Sequence, residues 1–297
     1  MIQILLGAVA LGLLWSIMTI GVYITFRILD IADLTVEGSI AMGAAICAQA
    51  ITHGINPYMA TALAFAGGMI AGLVTGLLHT KLKIPALLSG ILTMIALYSV
   101  NLQILGKANI SLLRMDTVYT PFQNIGLNAT NSTIALGLAC AIIAVIILYW
   151  FFGTEIGYAV RACGNNPHMA RAQGTNTNTM IILGLVISNG LVAISGALIA
   201  QSQCFADVQM GIGSIVIGLA SVIIGEVLFS KKSFLSRLIA LVLGAVTYRI
   251  IIALVLKMGM SPNNLKLFTA ITVALALALP VIKTRLKPAK FSIEEDA

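Results

Sequence analysis

The chain has 297 residues, 59 % of them hydrophobic and 9 % charged, with a mean hydropathy of +1.03. A water-soluble domain carries about 25 % charged residues, so the composition excludes a soluble globule and points to a polytopic membrane protein. The formal net charge of +7 is no sign of nucleic-acid binding. The basic residues stand in short polar stretches beside apolar runs, where they act as an orientation signal.

Nine apolar runs follow one another: roughly Ile4–Phe26, Val36–Ile51, Tyr58–His79, Ile84–Leu105, Ser132–Phe152, Met180–Ala200, Gly211–Phe229, Arg237–Leu256 and Leu265–Ile282. Each is about 16–23 residues, near the ~20 that cross the hydrocarbon as a helix. The second is short and the weakest of the set. No run shows the alternation in ~10-residue pieces that a barrel needs. The expectation is an all-α polytopic membrane protein of about nine transmembrane helices, forming one domain over residues 1–297. Met1 opens an apolar run with no basic stretch before it and no cleavage site after it, so no signal peptide is expected. Cys47, Cys140, Cys163 and Cys204 are scattered without metal-ligand spacing and read as apolar fillers.

Lys and Arg set the orientation. Lys283, Arg285, Lys287 and Lys290 place the C-terminus in the cytoplasm. Counting back, the same side collects Lys231, Lys232 and Arg237, then Arg161 and Arg171, then Lys81 and Lys83, then Arg27. The opposite side holds only Lys107, Arg114, Lys257 and Lys266. The N-terminus is therefore expected outside.

The first two runs are joined by Arg27-Ile-Leu-Asp30-Ile-Ala-Asp33-Leu-Thr-Val-Glu37-Gly38. If helical, its four ionisable groups share about a third of the circumference, and Arg27 can pair with Asp30 one turn on. Two readings stand side by side. One is a cytoplasmic hairpin with solvated carboxylates. The other is a broken helix that turns backbone groups and Asp30, Asp33 and Glu37 toward a translocation path. The segment Asp33-Leu34-Thr35-Val36, then Gly38-Ser39, resembles the Gly-Ile-Asp-Leu-Ser-Val-Gly-Ser motif of permease subunits of bacterial ABC importers, in the branch that moves sugars. It departs from that motif in having Ile and Ala before Asp33, and Glu37 stands as an insertion. In that family the motif marks a break beside the second core helix.

The third run carries Gly68, Gly72 and Gly76 at four-residue spacing, a face for close helix approach. Ala71–Gly76, the basic turn Lys81-Leu-Lys83 and Ile84-Pro85-Ala86 again resemble these permeases. Lys107–Asn131 is the longest outside stretch, rich in Asn and Thr. It is either a solvated linker or the surface met by a substrate-delivering partner.

Gly153–Gly174 reads GTEIGYAVRACGNNPHMARAQG and is the longest polar interruption. Pro167 can open a helix of roughly His168–Gln173, with Asn165 or Asn166 as cap and Gly174 at its end. Ala170, Ala172 and Arg171 would form its ridge. Gly157, the Arg161-Ala162 pair, Gly164-Asn165, Ala170 and Gly174 resemble the coupling loop of the same ABC permeases, here residues 153–177. The resemblance implies that Gly157, Arg161, Asn165, Asn166, Pro167, His168, Ala170, Arg171 and Gly174 serve the contact with the ATPase.

Farther on, Asn189, Ala193 and Ala197 repeat every four residues as a second contact face. Gly211–Glu226 resembles a late Gly-Gly segment of the family, with Glu226 in place of the second Gly. Glu226 stands near Lys231 and Lys232 and is expected to pair at the interface. Asp207 lies just outside the sixth run, and Arg249 is the one base at mid-span. A charge at that depth faces a partner or water, so Asp207 and Arg249 join the pathway candidates.

No nucleophile–base or metal-ligand cluster appears, and there is no Gly-x-x-x-x-Gly-Lys-Ser/Thr loop. The chain is thus expected to be non-catalytic and to bind no cofactor. The resemblance covers the chain from about Leu13 to the last run. The chain is shorter at its N-terminus than the sugar permeases and is expected to lack their first span. The resemblance implies a bundle similar to the vitamin B12-type importers in a bacterial cytoplasmic membrane. A second permease copy, two cytoplasmic ATPases that bind ATP and Mg, and an extracytoplasmic binding protein, free or as a lipoprotein, would complete it. Short permeases of this form resemble those for amino acids, aromatic ones included, with sugars or nucleosides as further candidates. The competing class is a stand-alone secondary transporter that relays ions through Asp30, Asp33, Glu37, Glu226 and Arg249.

Overall fold

Eight of the nine apolar runs fold as helices, and the reason is shared. Each is a run of Leu, Ile, Val and Ala with no interior proline, so its backbone groups are satisfied within the segment, as hydrocarbon requires. The computed structural model describes residues 2–229 and 233–257, with Leu267, Ile271 and Ala274 beyond. The rest of the ninth run and Lys231, Lys232, Lys283, Arg285, Lys287 and Lys290 lie outside the described residues.

The elements in order are α1 (Ile2–Tyr23), continued by a wider π-turn over Ile24–Ile28, then α2 (Thr35–Thr52), α3 (Pro57–Thr80) and α4 (Ala86–Leu105). Next come β1 (Asn109–Ser111), α5 (Thr120–Asn124), α6 (Ala129–Phe152), α7 (Glu155–Asn165) and α8 (Pro167–Ala172). Then follow α9 (Thr177–Gln203), β2 (Phe205–Asp207), α10 (Ser214–Phe229) and α11 (Phe234–Lys257). Six of the described helices are long and apolar enough to cross a membrane: α1 with its π-turn, α3, α4, α6, α9 and α11.

Helices α1 and α9 form the axis of the bundle. Burial covers 67 % and 61 % of their apolar windows, against 28 % for α4. Close approach to α9 depends on glycine. A Cβ at Gly68 would meet the Asn189 carbonyl, one at Gly72 the Leu185 carbonyl, and one at Gly76 the Ile182 side chain. The expected Gly68–Gly72–Gly76 face is therefore the α3–α9 contact, antiparallel in register. Ala193 faces Gly43 of α2 and Gly68 of α3 from the same stripe of α9, as expected for the Asn189–Ala193–Ala197 repeat.

Two elements depart from simple spanning. Helix α2 starts only after an extended stretch that turns back into the bundle from the end of α1. Leu29 packs on Gly184 of α9, and Asp33 reaches Asn189 about one and a half turns farther along α9. Helix α10 has 16 residues, and its start at Ser214 follows a loop that dips in beside α2, where Gly211 lies against the Glu37 carbonyl. At the opposite end from α7 and α8, β1 and β2 pair antiparallel with Asn109 opposite Asp207. Val118 N–H donates to Gln201 Oε1 at 3.0 Å, and Tyr119 Oη donates to the Leu198 carbonyl at 3.0 Å. The Lys107–Asn131 stretch is thus an ordered cap over α9, and its strand is an element that the sequence reading does not include.

Candidate functional site

The polar segment after α6 holds two helices. Thr154 opens α7: its Oγ1 accepts from Gly157 N–H at 3.3 Å. Gly157, Val160 and Cys163 turn inward at three-residue spacing. Gly157 rests on Phe151 and Phe152 of α6, and Gly164 rests on Ile28 and Leu29 at the end of α1. Helix α7 is therefore seated on two helices at once. Asn166 then breaks the chain, and its side chain accepts from Met169 N–H at 3.0 Å to open α8 with Pro167 in its first turn. The expected helix over 168–173 is present, shifted by one residue, with Asn166 as its cap. Gly174, at φ +84°, closes it.

Residues 165–174 form a projecting stretch in which only Ala170 is buried. The proposed ridge needs correction on that point. Ala170 faces the protein, and Arg171 Nε donates to Thr177 Oγ1 at 2.7 Å. The outward face is made by His168, Met169 and Ala172, with Asn165, Asn166, Pro167 and Gly174 at its ends. Gly157 is on the buried face of α7, against Phe151 and Phe152. Burial also pushes the Cys163 thiol above its ordinary range, with Arg171 pulling weakly the other way.

Behind α7 lies an open pocket of about 870 Å³ lined by Tyr23, Arg27, Asp30, Arg161, Glu226, Phe234 and Arg237, among others. Arg161 is half-buried there, its guanidinium carbon 4.9 Å from the Phe234 ring centre and 5.6 Å from that of Tyr158. Arg27 Nε donates to Glu226 Oε1 at 3.0 Å. The expected Arg27–Asp30 pair does not form. The chain leaves the helix at Leu29 and Asp30 takes φ +57°, so the two side chains no longer lie one turn apart. Glu226 pairs with Arg27; the pairing expected with Lys231 and Lys232 lies outside the described residues.

The pathway candidates separate by environment. Asp30 is exposed at the pocket. Asp33 is buried, with Oδ1 accepting from Thr35 N–H at 2.9 Å and Oδ2 from Asn189 Nδ2 at 2.8 Å. Ser39 Oγ donates to Asn189 Oδ1 at 2.6 Å. Glu37, half-buried, accepts from Gly213 N–H at 3.0 Å, just before α10. An acidic group there meets the positive end of the helix dipole. Asp207 sits in β2 and accepts from Gln209 N–H at 2.7 Å as a turn. Arg249 stacks over Trp15 at 4.2 Å from the ring centre. A cation at this depth costs about 2.5–3.5 kcal/mol on insertion scales. Asp30, Asp33, Glu37, Asp207 and Arg249 thus occupy different parts of the bundle and do not converge. Among the described residues no group of three His, Cys, Asp or Glu could hold a metal.

A bundle of membrane-crossing helices with a rigidly seated pair of loop helices at one end is the build of a transport permease. The chain belongs to the family described as "Branched-chain amino acid transport system / permease component", whose profile matches residues 4–282. It is therefore a permease subunit of the ATP-binding-cassette class, a multi-pass protein of the bacterial plasma membrane, and the stand-alone transporter falls away. It is 44 % identical over 276 residues to a tyrosine transport system permease protein of Clostridioides difficile, across 93 % of this chain and 91 % of that one. It is 35 % identical over 280 residues to an uncharacterized protein of Rickettsia prowazekii, across 93 % and 97 % of the two chains. Its fold is similar to an inward-facing metal-chelate type ABC transporter, with TM-score 0.51 and 14 % identity over 94 % of this chain and 85 % of that one.

Proposed function

We propose that this chain forms the substrate path of an importer for an amino acid, with tyrosine the first candidate. The supporting likeness is to the tyrosine permease, which runs nearly end to end in both chains. The chain itself is non-catalytic and binds no cofactor. Two copies enclose the path, two ATPases bind ATP and Mg on the cytoplasmic side, and an extracytoplasmic binding protein, soluble or a lipoprotein, delivers the solute. The chain is a single domain of nine spans in the vitamin B12-type arrangement, with its N-terminus outside and its C-terminus in the cytoplasm. The segregation of Arg27, Lys81, Lys83, Arg161, Arg171 and Arg237 at the α7–α8 end supports this orientation.

The observation that carries the proposal is the seating of α7. Gly164 and Gly157 pack it against α1 and α6 with no side chain between, while residues 165–174 project. A push on the projecting stretch moves the ends of two membrane helices, which is what coupling to an ATPase requires. The Arg27–Glu226 pair links α1 and α10 beside that contact. Asp30, Asp33, Glu37, Asp207 and Arg249 are assigned to the path or to its frame.

The test is purification of the tagged chain from native membranes in mild detergent, identification of what accompanies it, and reconstitution of uptake with tyrosine and competing solutes. A nucleotide-binding ATPase and a tyrosine-binding surface protein are expected. Recovery of the chain alone, under conditions that preserve a control importer, refutes the proposal. Uptake of a sugar or nucleoside but not tyrosine refutes the substrate.

A further inference from the structure

Among the described residues five buried polar side-chain atoms have no hydrogen-bond partner; apart from the acceptor Asn101 Oδ1 on α4, four share one chemical character. They are Trp15 Nε1 on α1, Ser214 Oγ on α10, and Tyr248 Oη and Arg249 Nε on α11. All can donate, and the indole and guanidinium can only donate. Natural interiors rarely leave such groups unmatched, so this set calls for an acceptor.

Register brings Trp15 and Arg249 together, with Ser214 near their level. Gly12 of α1 lies against Val246 of the antiparallel α11. Side chains on a helix tilt toward its N-terminus. Trp15 therefore leans toward one end of the bundle and Arg249 toward the other, and they meet face on at 4.2 Å. Gly218 of α10 packs on Met18 and Val22 of α1, and the two helices run parallel, as Glu226 and Arg27 confirm. Ser214, four residues earlier, thus starts α10 at about the depth of Trp15.

The sequence offers Arg249 no carboxylate. Asp33, Glu37 and Glu226 are engaged with Asn189, Gly213 and Arg27. Asp30 lines the pocket at the α7–α8 end, Glu155 opens α7 at that end, and Asp116 and Asp207 belong to the opposite end. Residues 250–293 contain no Asp or Glu, so the next acid is Glu294 in the tail.

We infer that Arg249, held by Trp15, is a mid-membrane recognition point for the carboxylate of the transported solute. This rests on the importer reading and narrows it: the path takes amino acids or other carboxylates and discriminates against neutral and purely cationic solutes of equal size. Guanidinium pairs with carboxylate through two parallel N–H donors, and the orphaned Nε is one of them. Arg249 is placed as a specificity residue, with Trp15 as its positioning partner.

The test uses the permease–ATPase complex carrying Trp150→Phe, which leaves Trp15 as the chain's only tryptophan; the same complex with Trp15→Phe supplies the background. Emission is titrated with tyrosine, with acetate, and with tyramine, which lacks the carboxylate. Tyrosine and acetate are expected to shift Trp15 emission saturably while tyramine does not. Arg249→Met should abolish the response and lower tyrosine uptake at least tenfold. Arg249→Lys, which keeps the charge and guards against a folding failure, should retain part of both. A response that persists in assembled Arg249→Met, an equal response to tyramine, or no response to either carboxylate overturns the inference. An intact carboxylate response in a complex that imports neither tyrosine nor another solute would instead sink the importer reading and leave the anion site standing.

Discussion

Substitution of Gly164 by Ala tests the seating of α7 at its tightest point. A methyl there would lie 2.8 Å from the Ile28 carbonyl carbon and 2.9 Å from Leu29 Cα, and closer still to the Ile28 oxygen. These are backbone atoms, so no rotamer change relieves the contact. The helix ends must part by roughly half an ångström at the carbons and more at the oxygen, an overpacking that costs about 1–3 kcal/mol. Against this, Ala in place of Gly within a helix returns ~1 kcal/mol. The net of about 0–2 kcal/mol leaves the bundle folded but shifts α7 relative to α1. The expected result is normal expression and ATPase binding, with uptake reduced by up to roughly thirtyfold where the upper ~2 kcal/mol of that range falls on the coupling step. Gly7→Ala is the control: no atom lies within 4 Å of its added methyl, and it should leave uptake unchanged. Uptake in proteoliposomes with ATPase measured in parallel decides the matter. Full coupled uptake in Gly164→Ala would show that the α7–α1 contact transmits nothing.

Three further outcomes follow from the same contacts. Cys163, buried with its thiol pushed up, should resist maleimide at neutral pH in a variant lacking the other cysteines. Its labelling should rise with pH only above the ordinary thiol range, and Gly164→Ala should speed it; equal rates in both backgrounds would contradict the displacement. The Arg27–Glu226 pair has side chains 57 % and 20 % exposed, so a double-mutant cycle on thermal stability should return only ~0.2–1 kcal/mol, and a coupling several times larger would mean a far drier site. Asp33→Asn sets two amide donors against each other at Asn189 and should cost about 1–3 kcal/mol. The double swap Asp33→Asn with Asn189→Asp should recover part of that in thermal unfolding, because donor and acceptor are restored, though the bond from Asn189 to the Leu185 carbonyl is lost. A swap no better than the single variant would remove the pairing.

The membrane architecture was legible because hydrocarbon leaves a chain few options. Apolar runs of spanning length must be helices, and the glycine spacing on α3 named its packing face before any partner was known. The projecting helix was legible too, since Asn-Pro and a following Gly are local signals that need no tertiary help. What escaped was set by partners distant in sequence. Helix α7 carries two glycines and a central Arg, a poor helix by propensity, and it forms because Gly157 and Gly164 let it lie flat on α6 and α1. Its one local signal was Thr154 before Glu155. The β1–β2 pair is three residues long and depends on the 205–207 segment arriving opposite. Asn189 was read as a small packing residue, yet its side chain holds Asp33, and nothing near it in sequence says so.

The carboxylates of the 27–38 segment show why charge count alone misleads in a membrane protein. Read as a cluster, Asp30, Asp33 and Glu37 look like an ion relay. In the fold they separate: Asp30 lines the open pocket, while Asp33 and Glu37 each hold backbone. Two short helices begin inside the bundle, and the first N–H groups of a helix have no partner of their own. Asp33 satisfies the start of α2 through Thr35, and Glu37, one helical turn on, satisfies the backbone leading into α10 through Gly213. Glu37 thus supports the loop that leads into α10. An acid that caps a helix is already matched and is poorly placed to release a solute. Arg249 is the opposite case, a half-buried residue whose Nε has no partner among the described residues and for which the spans leave no acid. A path built on these residues has its frame in the carboxylates and its recognition in the cation.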